Sequence, residues 1–443
     1  MKADKLNVKV TLLLSFGFFA SSIAWSVYNA FVPQILEKKL IGWFASRGID
    51  ESGTGFIAIG TLIGLIMTID NVFGVIFQPL FGKLSDKTRT RFGRRMPYII
   101  IGLPVCVAAF VLVPYMPSLW TLMAALIVFT FVMSAWRTPV VSLMPDLTPG
   151  PLRSQANGIV NFMGGLGSLF AFLLGGILFD IWFKKTGNGF PLPFMMSGIM
   201  MMLALFVLVF FVREPKHAYE PEAEKQKIKV SLDKGERTSL ILILCGIFFW
   251  FTGYNAVETF FTLYATNTLG MTPGGASMTL AIFSLSFLGF AVPAGFIGAK
   301  MGRRRAILIG LIGLTVLFFP MIFFVNAWMT RACLFIGGFS WAMVNINSLP
   351  MVVRLSGEEK IGTYIGYYYF FSFASQIFSP ILFGFIHDVI SHHKILFLAD
   401  YKVLFPYSCI AFALAVVFMI FVRHGEDEPE KATASQILDG MGD

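Results

Sequence analysis

Apolar residues run along this chain in long unbroken stretches rather than in alternation with polar ones. A helix crossing the hydrocarbon of a bilayer needs about 20 such residues, whereas barrel strands alternate. The runs predict about twelve spans, near 9–33, 54–81, 96–115, 118–145, 157–182, 190–212, 238–265, 274–299, 304–325, 328–352, 362–390 and 402–422. Several exceed the minimum length, which predicts tilt or extension past the bilayer. The first run lacks a small-residue cleavage site and reads as a retained span. The longest polar stretch, 213–237, separates six spans from six. The expectation is an all-α integral membrane protein with six-helix bundles at 1–212 and 238–424. A cytoplasmic linker at 213–237 joins them, and a cytoplasmic tail follows at 425–443.

Composition supports this and excludes other classes. Of 443 residues, 56% are apolar and 13% charged, against about 25% charged in a soluble domain. So little charge cannot clothe a soluble core. The net charge of +9 comes from bases in loops beside apolar spans, so the expected partner is the lipid bilayer and no nucleic acid. Cys106, Cys245, Cys333 and Cys409 are scattered singly with no CxxC spacing, so neither a metal site nor a disulfide framework is expected. No GxxxxGK[ST] phosphate loop appears, so ATP does not drive the protein directly. No enzyme chemistry and no cofactor are expected.

The bases have a side. The densest block is QPLFGKLSDKTRTRFGRRMPY at 78–98, with Lys83, Lys87, Arg89, Arg91, Arg94 and Arg95 around the single acid Asp86. With the N-terminus inside, most of the Lys and Arg fall on cytoplasmic segments, which predicts both termini in the cytoplasm of a cell inner (plasma) membrane. Gly82 and Gly93 permit a tight backbone path, and Asp86 has bases across the loop to pair with. This loop, with Asp146 and Arg153 at the next turn on the same side, is read as a gating hinge; a plain topology anchor is the alternative. Asp146, Asp180 and Asp388 lie at span ends and read as caps or loop partners.

The halves echo one another. GKLSDKTRTRFGRR at 82–95 has a counterpart in GFIGAKMGRRR at 295–305, and Gly158, Gly176 and Asp180 recur at one constant spacing as Gly366, Gly384 and Asp388. Two related six-helix halves resemble the major facilitator arrangement, which places a substrate site between the halves near mid-membrane.

Ionisable groups near mid-membrane cost about 2.5–3.5 kcal/mol each on insertion scales. Asp70 in the second span, Arg137 in the fourth and Glu258 in the seventh are such groups. Counting 1.5 Å per residue puts Asp70 and Arg137 within ~5 Å in depth and Glu258 ~13 Å nearer the outside. One reading is a static bridge holding two helices. The other is proton coupling, in which Asp70 takes and gives a proton and Arg137 competes for the carboxylate when the proton leaves. Neutral polar and aromatic groups cluster too: Trp25, Tyr28 and Asn29; Asn157 and Asn161; Tyr254 and Asn255; Trp341, Asn345 and Asn347; Tyr364, Tyr367, Tyr368 and Gln376. Amides and carboxylates suit sugar hydroxyls, and flat rings suit sugar C–H faces. Of these, Trp25, Tyr28, Asn29, Asn161, Tyr254, Asn255, Trp341, Asn345, Tyr367 and Gln376 are the substrate-binding candidates; the alternative is helix-to-helix glue. GGLGSLFAFLLGG at 164–176 lets backbones approach closely, and Pro139 and Pro293 predict bends.

Two blocks carry a family resemblance. QPLFGKLSDKTRTRFGRRMPYI resembles the loop after the second span in sucrose–proton symporters, and RTPVVSLMPDLTPGPLRSQANGIVNFMGGLG at 137–167 resembles bacterial members of the glycoside–pentoside–hexuronide:cation symporters. The resemblance implies a major facilitator fold and cation-coupled uptake of a sugar or glycoside. Where the sucrose symporters carry an Arg, this chain has Val141, with Arg137 one turn earlier. Where melibiose-type members carry an acid, it has Gln78, which removes a cation ligand and favours protons over sodium. The function expected is proton-coupled symport of a disaccharide or glycoside by alternating access. The alternatives are a proton-coupled antiporter exporting amphipathic small molecules and a non-transporting membrane sugar sensor.

Overall fold

The computed structural model describes residues 6–49, 58–149, 152–214, 234–355, 361–393 and 401–425. Most of the expected linker and nearly all of the expected tail lie outside these residues.

In hydrocarbon every backbone N–H and C=O needs a partner within the chain, and a helix provides one for each. The described residues accordingly fold into twelve α-helices: α1 (Val8–Ala45), α2 (Ile59–Lys87), α3 (Met96–Leu112), α4 (Leu119–Leu147), α5 (Arg153–Thr186), α6 (Pro191–Phe211), α7 (Lys234–Asn267), α8 (Pro273–Met301), α9 (Arg303–Phe318), α10 (Ala327–Arg354), α11 (Ile361–His392) and α12 (Leu404–Ile420). Eleven spans are long and apolar enough to cross a membrane, and α12 is a shorter apolar helix. The first span is longer than expected, 38 residues to Ala45, because apolar residues continue past Pro33. At 1.5 Å per residue that is ~57 Å.

Polar residues cap the first turns of several helices. Ser118 and Thr121 form a reciprocal capping box on α4, and Asn326 accepts from Trp328 and Met329 N–H on α10. Gly302 has φ +96° at the α8–α9 turn, a conformation that favours glycine. Pro139 and Pro293 lie inside α4 and α8.

Packing sorts the helices into two groups. α1 packs on α5 and α6, and α3 and α2 on α4; α8 and α9 pack on α10, and α7 on α12 and α11. The groups meet along α2–α11, α5–α8 and α1–α7. Both outer seams are tight at the end opposite the basic loop. A Cβ on Gly60 would come within 3.1 Å of the Gly384 carbonyl, and one on Gly176 within 3.2 Å of Met278 N. Of the repeated residues noted above, Gly176 with Asp180 and Gly384 with Asp388 thus occupy matching places, each at a crossing of the two groups. Toward the basic end the seams run out. Among the described residues the last hydrogen bond along α2–α11 in that direction is a weak one, from Thr68 Oγ1 to the Ile377 carbonyl at 3.5 Å. A Cβ on Gly158, Gly289 or Gly366 would meet nothing within 4 Å. Among the described residues the two groups are therefore held together at one end and parted at the basic end.

Candidate functional site

Asp70 lies on α2 one turn or less beyond Thr68, where the two groups of helices part. It is half-buried, and one carboxylate oxygen accepts from Asn71 N–H at 2.7 Å. Arg137 and Glu258 are near enough to act on its charge, although the count along the helices set Glu258 ~13 Å outward of Asp70. The expected ion pair between Asp70 and Arg137 is not formed, since no contact within 4.0 Å joins them. Tyr369 of α11, which the sequence reading passed over, also lies within electrostatic reach of Arg137.

The α1 face is built by residues one turn apart. The Tyr28 ring stacks on Phe129 of α4 at 5.6 Å, and Trp25 packs edge-on against both. These contacts lock the rotamers of the α1 residues beside Asp70. The Tyr28 hydroxyl is buried with no hydrogen-bond partner among the described residues and interacts electrostatically with Asp70. On the same stretch of α1, Asn29 Nδ2 donates to Glu258 Oε1 of α7 at 3.2 Å, tying the two groups together at mid-length. Tyr254, one turn from Glu258, lies flat on Trp341 of α10 with centroids 4.2 Å apart and planes 4° apart.

Other candidates sit elsewhere. Asn255 is buried and donates to Ser375 Oγ at 3.3 Å in the α7–α11 contact. One residue on from Tyr254 turns it about 100° around the helix, so it serves as helix glue instead of facing the charged cluster. Asn347 likewise ties α10 to the Ala294 carbonyl of α8 at 3.1 Å. Asn345 is half-buried, and its carbonyl accepts from Ser348 Oγ. Gln376 donates to Ser372 Oγ at 3.3 Å within α11. Tyr367 and Asn161 are exposed on the splayed portions of α11 and α5.

The gating-loop residues form a second cluster. Arg95 is buried; its Nε donates to Asp146 Oδ2 at 3.0 Å, its Nη2 pairs with Asp86 at 2.5 Å and its Nη1 contacts the Gly82 carbonyl at 3.4 Å. Arg94 pairs with the other Asp146 oxygen at 2.7 Å. Gly93, with φ +107°, passes under Glu214, a residue the sequence reading did not single out. The Glu214 carboxylate accepts from Arg95 N–H at 2.9 Å and so caps α3 from the start of the expected linker. Arg91 stays outside this network, over the Phe92 ring at 4.8 Å. Arg153 caps α4 through the carbonyls of Pro145 and Thr148 at 3.1 and 3.2 Å. Among the described residues no group of His, Cys, Asp and Glu is placed to hold a metal.

Comparison with known proteins agrees with this architecture. The Major Facilitator Superfamily family model matches residues 14–380 and 243–439. Among curated proteins, the chain is 24% identical to a class H tetracycline resistance protein of Pasteurella multocida, over 57% of this chain and 62% of that one. This match spans less than two thirds of the relative. It is 25% identical to the multidrug resistance protein MdtG of Dickeya zeae, over 76% and 81% of the two chains. It is 23% identical to a PmrA efflux pump homologue of Lactococcus lactis, over 88% and 91%. Among solved structures, a D-xylose–proton symporter superposes with a TM-score of 0.71 at 17% identity, covering 95% of this chain and 99% of that one. An inward-facing bacterial homologue of the human lysosomal transporter Spinster gives 0.67 at 13%, covering 94% of each.

Proposed function

The chain belongs to the Major Facilitator Superfamily, and on that premise we propose that it carries a disaccharide or other glycoside inward together with a proton, by alternating access. The family is one of membrane transporters of small molecules and not of enzymes. The observation that carries the proposal is the Asn29–Glu258 hydrogen bond beside the flat Tyr254–Trp341 pair. An amide and a carboxylate offer donors and acceptors to hydroxyls, and the adjoining ring offers a surface to a sugar C–H face.

Coupling is assigned to Asp70. Burial favours the protonated form of a carboxyl, and a neighbouring guanidinium favours the ionised form. Arg137 lies in reach of Asp70 without pairing to it, so a proton and the guanidinium are alternative partners as the halves rock. The excess of Lys and Arg on the basic-loop side makes that end cytoplasmic in this reading. The structure then corresponds to an inward-open state.

A second reading has its own support: the curated relatives are named for tetracycline and multidrug resistance. It makes the chain an exporter of amphipathic compounds in exchange for protons. The two readings differ in the sign of proton flux. Purified protein in proteoliposomes is given a panel of disaccharides and glycosides, then tetracycline, while proton movement is recorded for wild type and Asp70→Asn. Symport predicts sugar-dependent proton entry that Asp70→Asn abolishes. Proton movement opposite to that of a drug, with no response to any sugar, establishes the second reading instead.

A further inference from the structure

We propose that Asp388 is the latch of the closed end. It grips the first turn of α2 across the boundary between the two groups of helices, and its release is the step that admits substrate from that side. The inference rests on the alternating-access reading above.

The start of α2 has no side-chain cap of its own. The first turn of a helix leaves backbone N–H groups without partners and carries partial positive charge. Asp388, near the end of α11, supplies what is missing. Its Oδ2 accepts from Ala58 N–H at 2.8 Å, Thr61 N–H at 2.7 Å and Thr61 Oγ1 at 2.6 Å, and its Oδ1 accepts from Gly60 N–H at 3.0 Å. All four donors belong to the other group of helices. Hydrogen bonds to a carboxylate are stronger than neutral ones. Gly60 is what lets the carboxylate in, since a Cβ there would lie 2.7 Å from Asp388 Oδ1.

The opposite seam provides an internal control. Asp180 is the sequence counterpart of Asp388, and it too lies against a glycine, Gly274, at the start of a helix. Yet α8 caps itself, with Thr272 Oγ1 accepting from Gly275 N–H at 2.9 Å. Asp180 Oδ1 is left buried with no partner among the described residues. The two seams share a backbone arrangement, and one alone carries the carboxylate grip. Without Asp388 the α2 donors are buried and unsatisfied when the end is closed, and water satisfies them when it opens.

The grip joins a wider tie at the same end. His387 Nδ1 is 3.2 Å from Asp388 Oδ1, and its ring stacks on Tyr401 at 4.1 Å. The Tyr401 hydroxyl donates to Glu37 at 3.0 Å, and Asn267 Nδ2 donates to the same Glu37 oxygen at 2.9 Å. Burial, aided by Glu37, pushes the Tyr401 phenol above its ordinary range, so it remains a donor.

Spin labels on cysteines placed at Tyr115 and His393, both exposed at this end, report the gap by pulsed electron paramagnetic resonance of the full chain in lipid nanodiscs. Wild type is expected to show mainly the short distance. Asp388→Ala is expected to raise the open-to-closed ratio at least about tenfold, and Asp388→Asn less, because the amide oxygen still accepts without charge. Asp180→Ala leaves the ratio unchanged. Should Asp388→Ala not fold, Thr61→Val removes one donor and shifts the ratio in the same direction by a smaller factor. Transport adds a readout that mere structure would not move: Asp388→Ala lowers KM for substrate offered at this end and lowers the maximal rate. Unchanged distances in Asp388→Ala, or equal opening by Asp180→Ala, overturn the latch. If wild type moves no substrate while the distances respond as stated, the transport reading fails and the latch stands.

Discussion

Asn29 and Glu258 meet at 3.2 Å across the middle of the molecule, one from the first helix of each group. A bond in that place joins the two groups of helices and leaves further donors and acceptors of both side chains for a substrate. Asn29→Ala is expected to leave folding intact and raise the substrate dissociation constant about tenfold, near 1.4 kcal/mol. Isothermal titration in detergent checks this. Glu258→Gln, which keeps the shape and the hydrogen bond, should cost less.

Asp70→Asn separates binding from coupling. The variant should exchange substrate across a membrane at equal concentrations on both sides, yet fail to accumulate it against a gradient when the pH differs. Counterflow and proton-driven uptake, measured on the same vesicles, decide the point. Loss of both would place Asp70 in substrate binding alone.

The Tyr254–Trp341 stack sets the expected cost of losing an aromatic wall. Such pairs contribute about 0.5–1.5 kcal/mol beyond their buried area. Trp341→Leu should therefore weaken substrate binding about two- to tenfold, while Trp341→Phe retains most of it. Competition binding with one glycoside and its ring-opened polyol is the measurement; the variant should narrow the difference between them.

The basic-loop cluster predicts a stability effect. Asp146 takes both Arg94 and Arg95, the latter buried. Leaving a buried charge wholly unpaired costs about 3–5 kcal/mol; here Arg95 keeps Asp86 and Arg94 keeps Glu214, so the loss of Asp146 costs less than that. Asp146→Ala should lower the midpoint of thermal unfolding in detergent clearly, and Arg91→Ala, outside the network, should not move it.

Gly64 predicts a conformational effect without chemistry. A Cβ there would run into the backbone of Pro380 on α11, and backbone cannot swing aside as a side chain can. Gly64→Ala should push α2 off α11 and speed labelling, by a membrane-impermeant thiol reagent added at the closed end, of a cysteine placed at Tyr28.

The readable parts of the sequence were those where hydrocarbon makes a feature expensive. Span positions, and the choice of Asp70, Arg137 and Glu258 as candidates, follow from the cost of polar groups in oil; the count along the helices, which set Glu258 ~13 Å outward of Asp70, did not foresee that Glu258 acts on the Asp70 charge. Side-chain direction was harder. Asn255 stands next to Tyr254 yet faces a helix contact, and Tyr369, adjacent to the noted Tyr368, is the one within reach of Arg137. Twelve helices fix no rotational phase by composition alone when apolar residues surround them. Asp388 read as a cap, and it is one, but for a helix far away in the chain; its partners are backbone N–H groups that leave no mark in a sequence. The signal available was the recurrence of Gly176 and Asp180 as Gly384 and Asp388. Glu214 was hidden for the same reason, since it too holds backbone N–H groups.

The α5–α8 crossing, where Gly176 and Gly274 let two main chains touch with the Asp180 and Met278 side chains beside them, bears on speed. Interlocked side chains must change rotamer before one helix turns against another; a crossing of two glycines leaves fewer rotamers to change. Among the described residues one hydrogen bond, from Ser277 Oγ to the Phe172 carbonyl at 2.9 Å, ties that flank, against four on Asp388 at the other. Turnover would then be timed at the α2–α11 flank, and a bulky residue at Gly274 would slow the cycle by jamming a joint in which two main chains touch.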